Sequence, residues 1–405
     1  MKPIVRAGRM KPVHSDIRGP LFVEAMKRQK QGIDILKLNT GNPATFGFGL
    51  PDSIKNALME HMQDGVGYCD FKGMPQARQA ICDYETSKGI KGITSDDVFI
   101  GNGVSEVVSF ALTPLLNDGD EVLVPSPSYS LWGNSIYLEG GKPVFYTCDE
   151  KANWYPDIKD IRSKITDKTK AIVIINPNNP TGVLYPKELL LEIIQIARES
   201  GLLIFADEIY DRLVMDGKQH ISLASLTEDV PVITLNGLSK SHCLCGYRCG
   251  WMVISGPREL TEDYRQGIIQ LTSLRLCANT MAQIVIPAAL DDMETPASMV
   301  RPSGRIYEQR EATVRELEKI DGLSFVKNDA AFYVFPKLDV KKFNITNDKQ
   351  FAHDLLDATN ILLVPGSGFD WKDPDHFRIV MLPQADVLSD AIRRMGTFLD
   401  GYKQK

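Results

Sequence analysis

The centre of the chain reads Ala171-Ile172-Val173-Ile174-Ile175-Asn176-Pro177-Asn178-Asn179-Pro180-Thr181-Gly182, an apolar run that ends in a polar loop. A second run, residues 202–206, ends in Asp207-Glu208-Ile209-Tyr210. Short, unbroken apolar runs are typical of strands that are buried on both faces. Between them, Pro186 precedes apolar residues at helical spacing, namely Leu189, Leu190, Ile193, Ile194 and Ala197. Since proline favours the first position of a helix, the pattern predicts two parallel strands connected by a helix that begins at Pro186.

The same alternation extends outward on both sides. Further apolar runs occupy residues 98–100, 122–124, 232–235 and 251–254, and helical spacing separates several of them. The alternation predicts an α/β protein with a mainly parallel sheet covered by helices on both faces. Both chain ends instead mix helices and short strands. We therefore predict a large domain over residues 51–301 and a small α+β domain built from residues 1–50 and 302–405.

Composition restricts the possible functions. The 405 residues are 43% hydrophobic and 24% charged, with a net charge of −6, which permits a large core and gives no support to nucleic-acid binding. The apolar runs are too short to cross a membrane, and the basic start is not followed by the apolar segment of a secretory signal. The seven cysteines lack framework spacing, which favours free thiols in the cytoplasm.

Four turns that follow predicted strands carry unusual residues, and such turns meet at the carboxyl edge of a parallel sheet. The first is Gly101-Asn102-Gly103-Val104-Ser105-Glu106. Its glycines and the helix start behind it form an anion site that suits a phosphate. It is not the dinucleotide fingerprint, because Glu106 replaces the third glycine. An ordinary strand-to-helix turn is the alternative.

The second and third turns are the Asn176–Gly182 loop and the segment after residue 206. The asparagine side chains of the loop can donate to a ligand. Asp207 ends a buried strand, where a carboxylate is costly unless it is paired, and a protonated heterocyclic nitrogen would pair it. Tyr210 can reach the same ligand. The alternative for Asp207 is a solvated helix cap.

The fourth turn holds Ser239-Lys240, followed by Arg248 between glycine-rich neighbours. Burial of Lys240 would lower its pKa and favour a neutral amine that forms a Schiff base with an aldehyde. Arg248 can bind a phosphate with two hydrogen bonds. The alternative is that Lys240 and Arg248 are solvated charges on the surface. Together the four turns describe a ligand with a phosphate, an aldehyde, a ring nitrogen and a phenolic oxygen, which is pyridoxal 5'-phosphate.

At this point the chain resembles the fold-type I, class I aminotransferases. The matching positions extend over nearly the entire chain: Tyr68 with Gly73, Gly103-Val104-Ser105, Tyr129, Asn176 to Gly182, Asp207 to Tyr210, Ser239-Lys240 to Arg248, and His376-Phe377-Arg378-Ile379. Four further segments look like the bacterial glutamate–pyruvate (alanine) aminotransferases: residues 16–20, 38–43, 67–70 and 273–279. The resemblance implies a seven-stranded, mainly parallel sheet, a homodimer, and ping-pong exchange of an amino group between alanine and 2-oxoglutarate.

The resemblance also implies residue roles. Lys240 is expected to hold the cofactor aldehyde and to move the substrate proton. The other cofactor contacts it implies are Asp207 at the ring nitrogen, Asn179 and Tyr210 at the ring oxygen, Tyr129 stacked on the ring, and Val104, Ser105, Ser239, Arg248 and a partner subunit's Tyr68 at the phosphate. Arg378 is expected to bind the substrate α-carboxylate and Gly41 to contact substrate through its backbone.

Two points stay open in the sequence. A second arginine is needed for the side-chain carboxylate of glutamate, and Arg18 is preferred over Arg275 because it lies in an N-terminal segment that could close over the site. The loop after Lys240 departs from its relatives and holds His242, Cys243, Cys245 and Cys249. Their spacing is not a usual zinc pattern, so no metal is predicted, and oxidation sensitivity is a hypothesis.

Four other functions are alternatives to this one. An aminotransferase for aromatic or branched amino acids, or a carbon–sulfur lyase, would carry the same cofactor motifs. A regulator that binds the cofactor without catalysis usually adds a DNA-binding module, and the residues before Pro20 are too few to form one. A nicotinamide dehydrogenase would leave Lys240 unexplained and would need the glycine fingerprint.

Overall fold

The computed structural model describes residues 2–405. Its strands, numbered along the chain, are β1 (Leu36–Lys37), β2 (Val98–Asn102), β3 (Glu121–Ser126), β4 (Lys142–Asp149), β5 (Tyr155–Pro156), β6 (Thr169–Ile175), β7 (Leu203–Asp207), β8 (Val232–Gly237), β9 (Cys249–Ser255), β10 (Leu323–Ser324), β11 (Tyr333–Val334), β12 (Lys337–Leu338), β13 (Ile361–Leu362), β14 (Val364–Pro365) and β15 (Phe377–Val380).

The helices are α1 (Pro20–Lys30), α2 (Asp52–His61), α3 (Pro75–Ser87), α4 (Val104–Leu112), α5 (Leu131–Leu138), α6 (Ile158–Lys164), α7 (Lys187–Ser200), α8 (Leu238–Ser241), α9 (Arg258–Arg275), α10 (Thr280–Ile284), α11 (Ile286–Asp291), α12 (Glu294–Val300), α13 (Arg305–Leu317), α14 (Val340–Phe343), α15 (Asp348–Thr359) and α16 (Ala385–Leu399). Helix α7 begins one residue later than predicted, because Pro186 is extended and stands at the cap.

The central sheet has the strand order β2-β9-β8-β7-β6-β3-β4-β5. Strands β3, β4, β6, β7 and β8 pair in parallel, whereas β9 runs antiparallel between β2 and β8. The predicted mainly parallel sheet is confirmed. The eighth strand, which the seven-stranded expectation omits, is the two-residue β5 at the edge.

Both faces of the sheet are covered, as the apolar runs require. In β6, Ile172 and Ile174 pack into the core that contains α7, while Ala171, Val173 and Ile175 pack into the core that contains α4 and α5. Consecutive strand residues point to opposite faces, so the central part of a strand between two helix layers is apolar on both faces. This arrangement leaves only the strand ends free for polar chemistry.

The two terminal parts of the chain pack together. Strand β1 pairs in parallel with β13, and a separate core joins Leu38 to residues of α13, α15, α16 and β15. The domain limits at residues 51 and 301 stay a prediction. Within residues 2–405 no single helix is long and apolar enough to cross a membrane, although the bent pair α9 and α10–α11 meets that test by length and composition.

Candidate active site

A cavity of about 850 Å³ lies where the parallel strands end. The residues after β2, β6, β7 and β8 line it together with residues of both chain ends, as the edge rule for parallel sheets predicts. The predicted site residues in its wall are Arg18, Gly41, Val104, Ser105, Tyr129, Asn179, Asp207, Tyr210, Ser239, Lys240, Arg248 and Arg378. Tyr68 is outside this wall and is 83% exposed.

Lys240 enters the cavity from the short helix α8, which follows β8 directly. Its Nζ donates to the carbonyl oxygen of Gly41 at 2.9 Å. Burial disfavours the charged amine of Lys240, but the neighbouring Tyr333 hydroxyl and Cys245 thiol favour it more strongly, so that the pKa of Lys240 lies above its ordinary value. The predicted lowering of the Lys240 pKa is therefore wrong for the polypeptide itself. The fold places polar side chains beside the amine that the sequence pattern did not predict there.

Asp207 ends β7 on the floor of the cavity, and no helix follows it, so it is not a helix cap. Its Oδ2 accepts a hydrogen bond from the Trp132 indole at 3.1 Å. Burial raises the pKa of Asp207 to about 6, and the Trp132 bond opposes that rise. A buried carboxylate of this kind is suited to a cationic partner, since a nearby positive charge restores the charged form.

One end of the cavity is built for an anion. Gly103, with φ +82°, caps the start of α4 and brings Val104 and Ser105 to the wall. The Arg248 guanidinium packs against Gly103 so closely that a Cβ there would lie 2.3 Å from its Nη2. Its Nη1 donates to the carbonyl of Cys245 at 3.0 Å. A cation beside the amino end of a helix is the usual arrangement for binding a phosphate.

The other end holds Arg378, which lies on β15 and is 1% exposed. Its Nη1 donates to Asn179 Oδ1 at 2.9 Å and its Nη2 donates to the Asn39 carbonyl, whereas its Nε has no partner among residues 2–405. Rings of Tyr333 and Phe369 lie 4.6 Å from the guanidinium carbon. Burial lowers the pKa of Arg378. A buried guanidinium without a carboxylate partner fits a carboxylate ligand.

Arg18 and Arg275 occupy different surroundings. Arg18 is exposed and lines the cavity opening. Arg275 is outside the cavity wall and pairs with Glu106 at 2.7 Å. Of the arginines proposed for a second carboxylate, the structure therefore brings only Arg18 to the cavity within one chain.

The side chains of the loop after Lys240 have separate partners. His242 contacts Ser241 and the Asp292 carbonyl, and Cys243 lies 3.8 Å from the Met299 sulfur. Cys245 lines the cavity, 3.9 Å from Lys240 Nζ, whereas Cys249 packs into a hydrophobic core.

Two residues that contact the site, Tyr333 and Trp132, were not predicted from the sequence, and a third, Cys245, was named there only for oxidation sensitivity. Tyr333 on β11 bonds to the Tyr210 hydroxyl at 2.9 Å, and a Cβ at Gly41 would lie 2.2 Å from the Tyr333 oxygen. Trp132 lies inside α5, and Cys245 lies in the loop that departs from its relatives. Tyr333 lies outside the central sheet, and Trp132 lies six residues after β3 ends, so neither is among the residues that directly follow a central strand.

Comparison with known proteins agrees with this geometry. The family model described as aminotransferase class I and II matches residues 33–394. The glutamate-pyruvate aminotransferase AlaA of Haemophilus influenzae is 50% identical over 404 residues, covering all of both chains. The alanine aminotransferase of Mycobacterium bovis is 45% identical, covering this whole chain and 94% of that protein. A crystal structure of an aminotransferase from Escherichia coli matches with a TM-score of 0.98 and 46% identity over all of both chains.

Proposed function

The chain belongs to the class I and II aminotransferases, and we propose that it exchanges the amino group of alanine with 2-oxoglutarate, using pyridoxal 5'-phosphate. The names of the relatives that match the whole chain support the substrates. The observation that carries the proposal is that Lys240, Asp207 and Arg378, far apart in the sequence, line one cavity.

The donor set of the cavity supports the cofactor. Arg248 with the α4 start would hold its phosphate, and the Asp207 carboxylate would face its ring nitrogen. Tyr129 would stack on the ring, and Ser239 would add a phosphate contact. Asn179 and Tyr210, which line the same cavity, would contact the ring oxygen.

The chain's own groups would then perform the proton chemistry. Bound pyridoxal phosphate supplies an aldehyde carbon and an electron-withdrawing ring. Lys240 would hold that aldehyde before the substrate arrives, and its released amine would take the proton from the substrate Cα. The Asp207 carboxylate would keep the ring nitrogen protonated. The carbonyl of Gly41, which now accepts the Lys240 bond, would contact the substrate.

Substrate recognition would rest on two arginines. Arg378 would bind the α-carboxylate that every substrate carries, because it is buried and pre-oriented by Asn179. Arg18 at the opening would bind the second carboxylate of glutamate or 2-oxoglutarate. The paired state of Arg275 supports this choice.

We further propose a homodimer in which Tyr68 reaches the phosphate of the partner's site. Its 83% exposure in a single chain is consistent with a contact that a second copy provides. The seven free cysteines are consistent with a cytoplasmic location.

The test is a panel of amino donors with pyruvate or 2-oxoglutarate as acceptor. We expect pyruvate formation from alanine only when 2-oxoglutarate is present, with parallel double-reciprocal plots. Lys240→Ala should lower the rate at least about hundredfold, whereas Lys91→Ala, which removes an exposed ion pair with Glu228, should not. Ammonia release without an acceptor would identify a lyase, and a preference for aromatic or branched donors would identify that alternative aminotransferase.

A further inference from the structure

Arg275 joins three segments that meet beside the anion end of the cavity. It is the last residue of α9, where a cation is favoured by the helix dipole. Its Nη1 donates to Glu106 Oε2 at 2.7 Å, and its Nη2 donates to the carbonyls of Phe71 at 3.1 Å and Ile100 at 3.3 Å. One planar guanidinium thus links the first turn of α4, the middle of β2 and the segment that follows Tyr68.

Glu106 connects this guanidinium to the anion-binding turn. Its Oε2 also accepts from the Asn102 backbone N–H at 2.7 Å, and its Oε1 accepts from the Asn102 side chain at 2.9 Å. The Asn102 side-chain oxygen in turn accepts from the Asn279 N–H at 2.8 Å. The glutamate that replaces the third glycine of a dinucleotide fingerprint therefore holds the turn in one conformation.

The charge of Glu106 requires its partner. A carboxylate in the first turn of α4 lies next to Ser105 and would repel a phosphate bound at that helix start. Arg275 is only 13% exposed on its side chain and neutralises that carboxylate at contact distance. With Arg275 paired to it, Glu106 can hold Asn102 by hydrogen bonds without repelling a bound phosphate.

We propose that Arg275 is a positioning residue for the cofactor phosphate, which holds the turn of Gly101 to Ser105 and the Tyr68 segment in register and cancels the Glu106 charge. The proposal rests on the proposed function, because it assumes that the phosphate of pyridoxal phosphate binds at α4. It gives Arg275 a role other than the second substrate carboxylate considered from the sequence. Since Tyr68 is proposed to serve the partner's site, this one side chain would support both sites of the dimer.

The experiment titrates full-length protein, freed of cofactor by dialysis, with pyridoxal phosphate and follows its absorbance. We expect Arg275→Met to raise the Kd roughly tenfold or more, the usual size for a group that orients a ligand-binding group. The matched control is Arg265→Met, which removes another buried ion pair of α9, with Asp97 at 2.6 Å, and should leave the Kd within about twofold. Equal Kd values for the two variants would overturn the proposal.

A second variant tests whether an unpaired Glu106 carboxylate weakens phosphate binding, because removing that charge should then increase the affinity. In Arg275→Met the Glu106 carboxylate is left unpaired, so the added change Glu106→Gln should restore part of the affinity for pyridoxal phosphate. A double variant that binds no more tightly than Arg275→Met would overturn the proposal. Should Arg275→Met fail to fold, Arg275→Lys keeps a charge for Glu106 but cannot also reach both carbonyls, and its Kd should still rise.

Substrate kinetics separate this role from a catalytic one. At saturating pyridoxal phosphate, Arg275→Met should change the KM values for 2-oxoglutarate and pyruvate by the same factor. A selective rise for 2-oxoglutarate would show that Arg275 binds the second carboxylate and would overturn the proposal. If the unmodified protein binds no pyridoxal phosphate, the proposed function itself fails, which is a different outcome.

Discussion

Asp207→Asn should stabilise the protein without cofactor at neutral pH while it abolishes transamination. Burial places the pKa of Asp207 at about 6, against an ordinary value of 3.8. The folded state therefore binds this proton more tightly than the unfolded state does. The contribution of the protonated Asp207 carboxyl group to stability is therefore largest below the unfolded pKa, and it is lost as the pH rises through about 6.

The size of the effect follows from the two pKa values. They differ by about two pH units, and each unit corresponds to about 1.4 kcal/mol, so ionised Asp207 costs about 3 kcal/mol at pH 7.5. At pH 5, where the folded carboxyl is mostly protonated, the cost falls to roughly half of that. Asparagine avoids this cost and can still accept the Trp132 bond through its side-chain oxygen.

The assay is urea denaturation of the protein after removal of cofactor, at pH 5 and pH 7.5, with and without the substitution. The gain in unfolding free energy should be larger at pH 7.5. The control is Asp375→Asn, because His376 helps to hold the pKa of Asp375 at about 2 despite burial, and its loss should destabilise at both pH values. A gain at Asp207 that is absent, or equal at both pH values, would refute the reasoning.

Three further outcomes follow from the same geometry. Arg18→Ala should raise the KM for 2-oxoglutarate about tenfold and leave the KM for pyruvate nearly unchanged, because only the former has a second carboxylate; an equal rise for both would refute the assignment. Arg378→Lys should lower kcat/KM at least about tenfold for every substrate, since one ammonium cannot replace the guanidinium fork; steady-state kinetics with alanine and glutamate check this. Burial opposes the charged form of His376, but Asp375 and Glu150 outweigh it and raise its pKa above 6.5. Stability should therefore fall as the pH rises through that raised pKa, and His376→Gln should flatten the unfolding free energy measured across that window.

The chemistry of the site was largely readable from the sequence because it lies at strand ends. Asp207 ends β7, and Asn179 and Lys240 lie within four residues of the ends of β6 and β8, so each stands close to a mainly apolar run and is conspicuous there. Parallel strands then bring these ends together, whatever the length of the connections between them. Six of the eight strands of the central sheet, β2, β3, β4, β6, β7 and β8, share that direction.

Residues that contribute through packing were not readable in this way. Tyr333 reaches Tyr210 from β11, and Trp132 reaches Asp207 from the first turn of α5. Aromatic residues in such positions are ordinarily core residues, and nothing local distinguishes one whose polar atom faces a cavity. The same limit explains why the lowered pKa predicted for Lys240 was wrong. Tyr333, which raises that pKa, lies far from Lys240 in the sequence.

The sequence alone determined which reactive side chains the protein has and that they lie at the carboxyl ends of the parallel strands. It could do so because strands and helices are specified by residue patterns that are local in the sequence. Tertiary structure alone decided how those groups act on one another. Whether Arg275 faces substrate or Glu106, and whether Lys240 is neutral or charged, depends on contacts between segments that are up to about two hundred residues apart. The energies of ion pairing and burial depend on distances of a few ångströms in space and not on separation along the sequence. Only the folded chain therefore determines them.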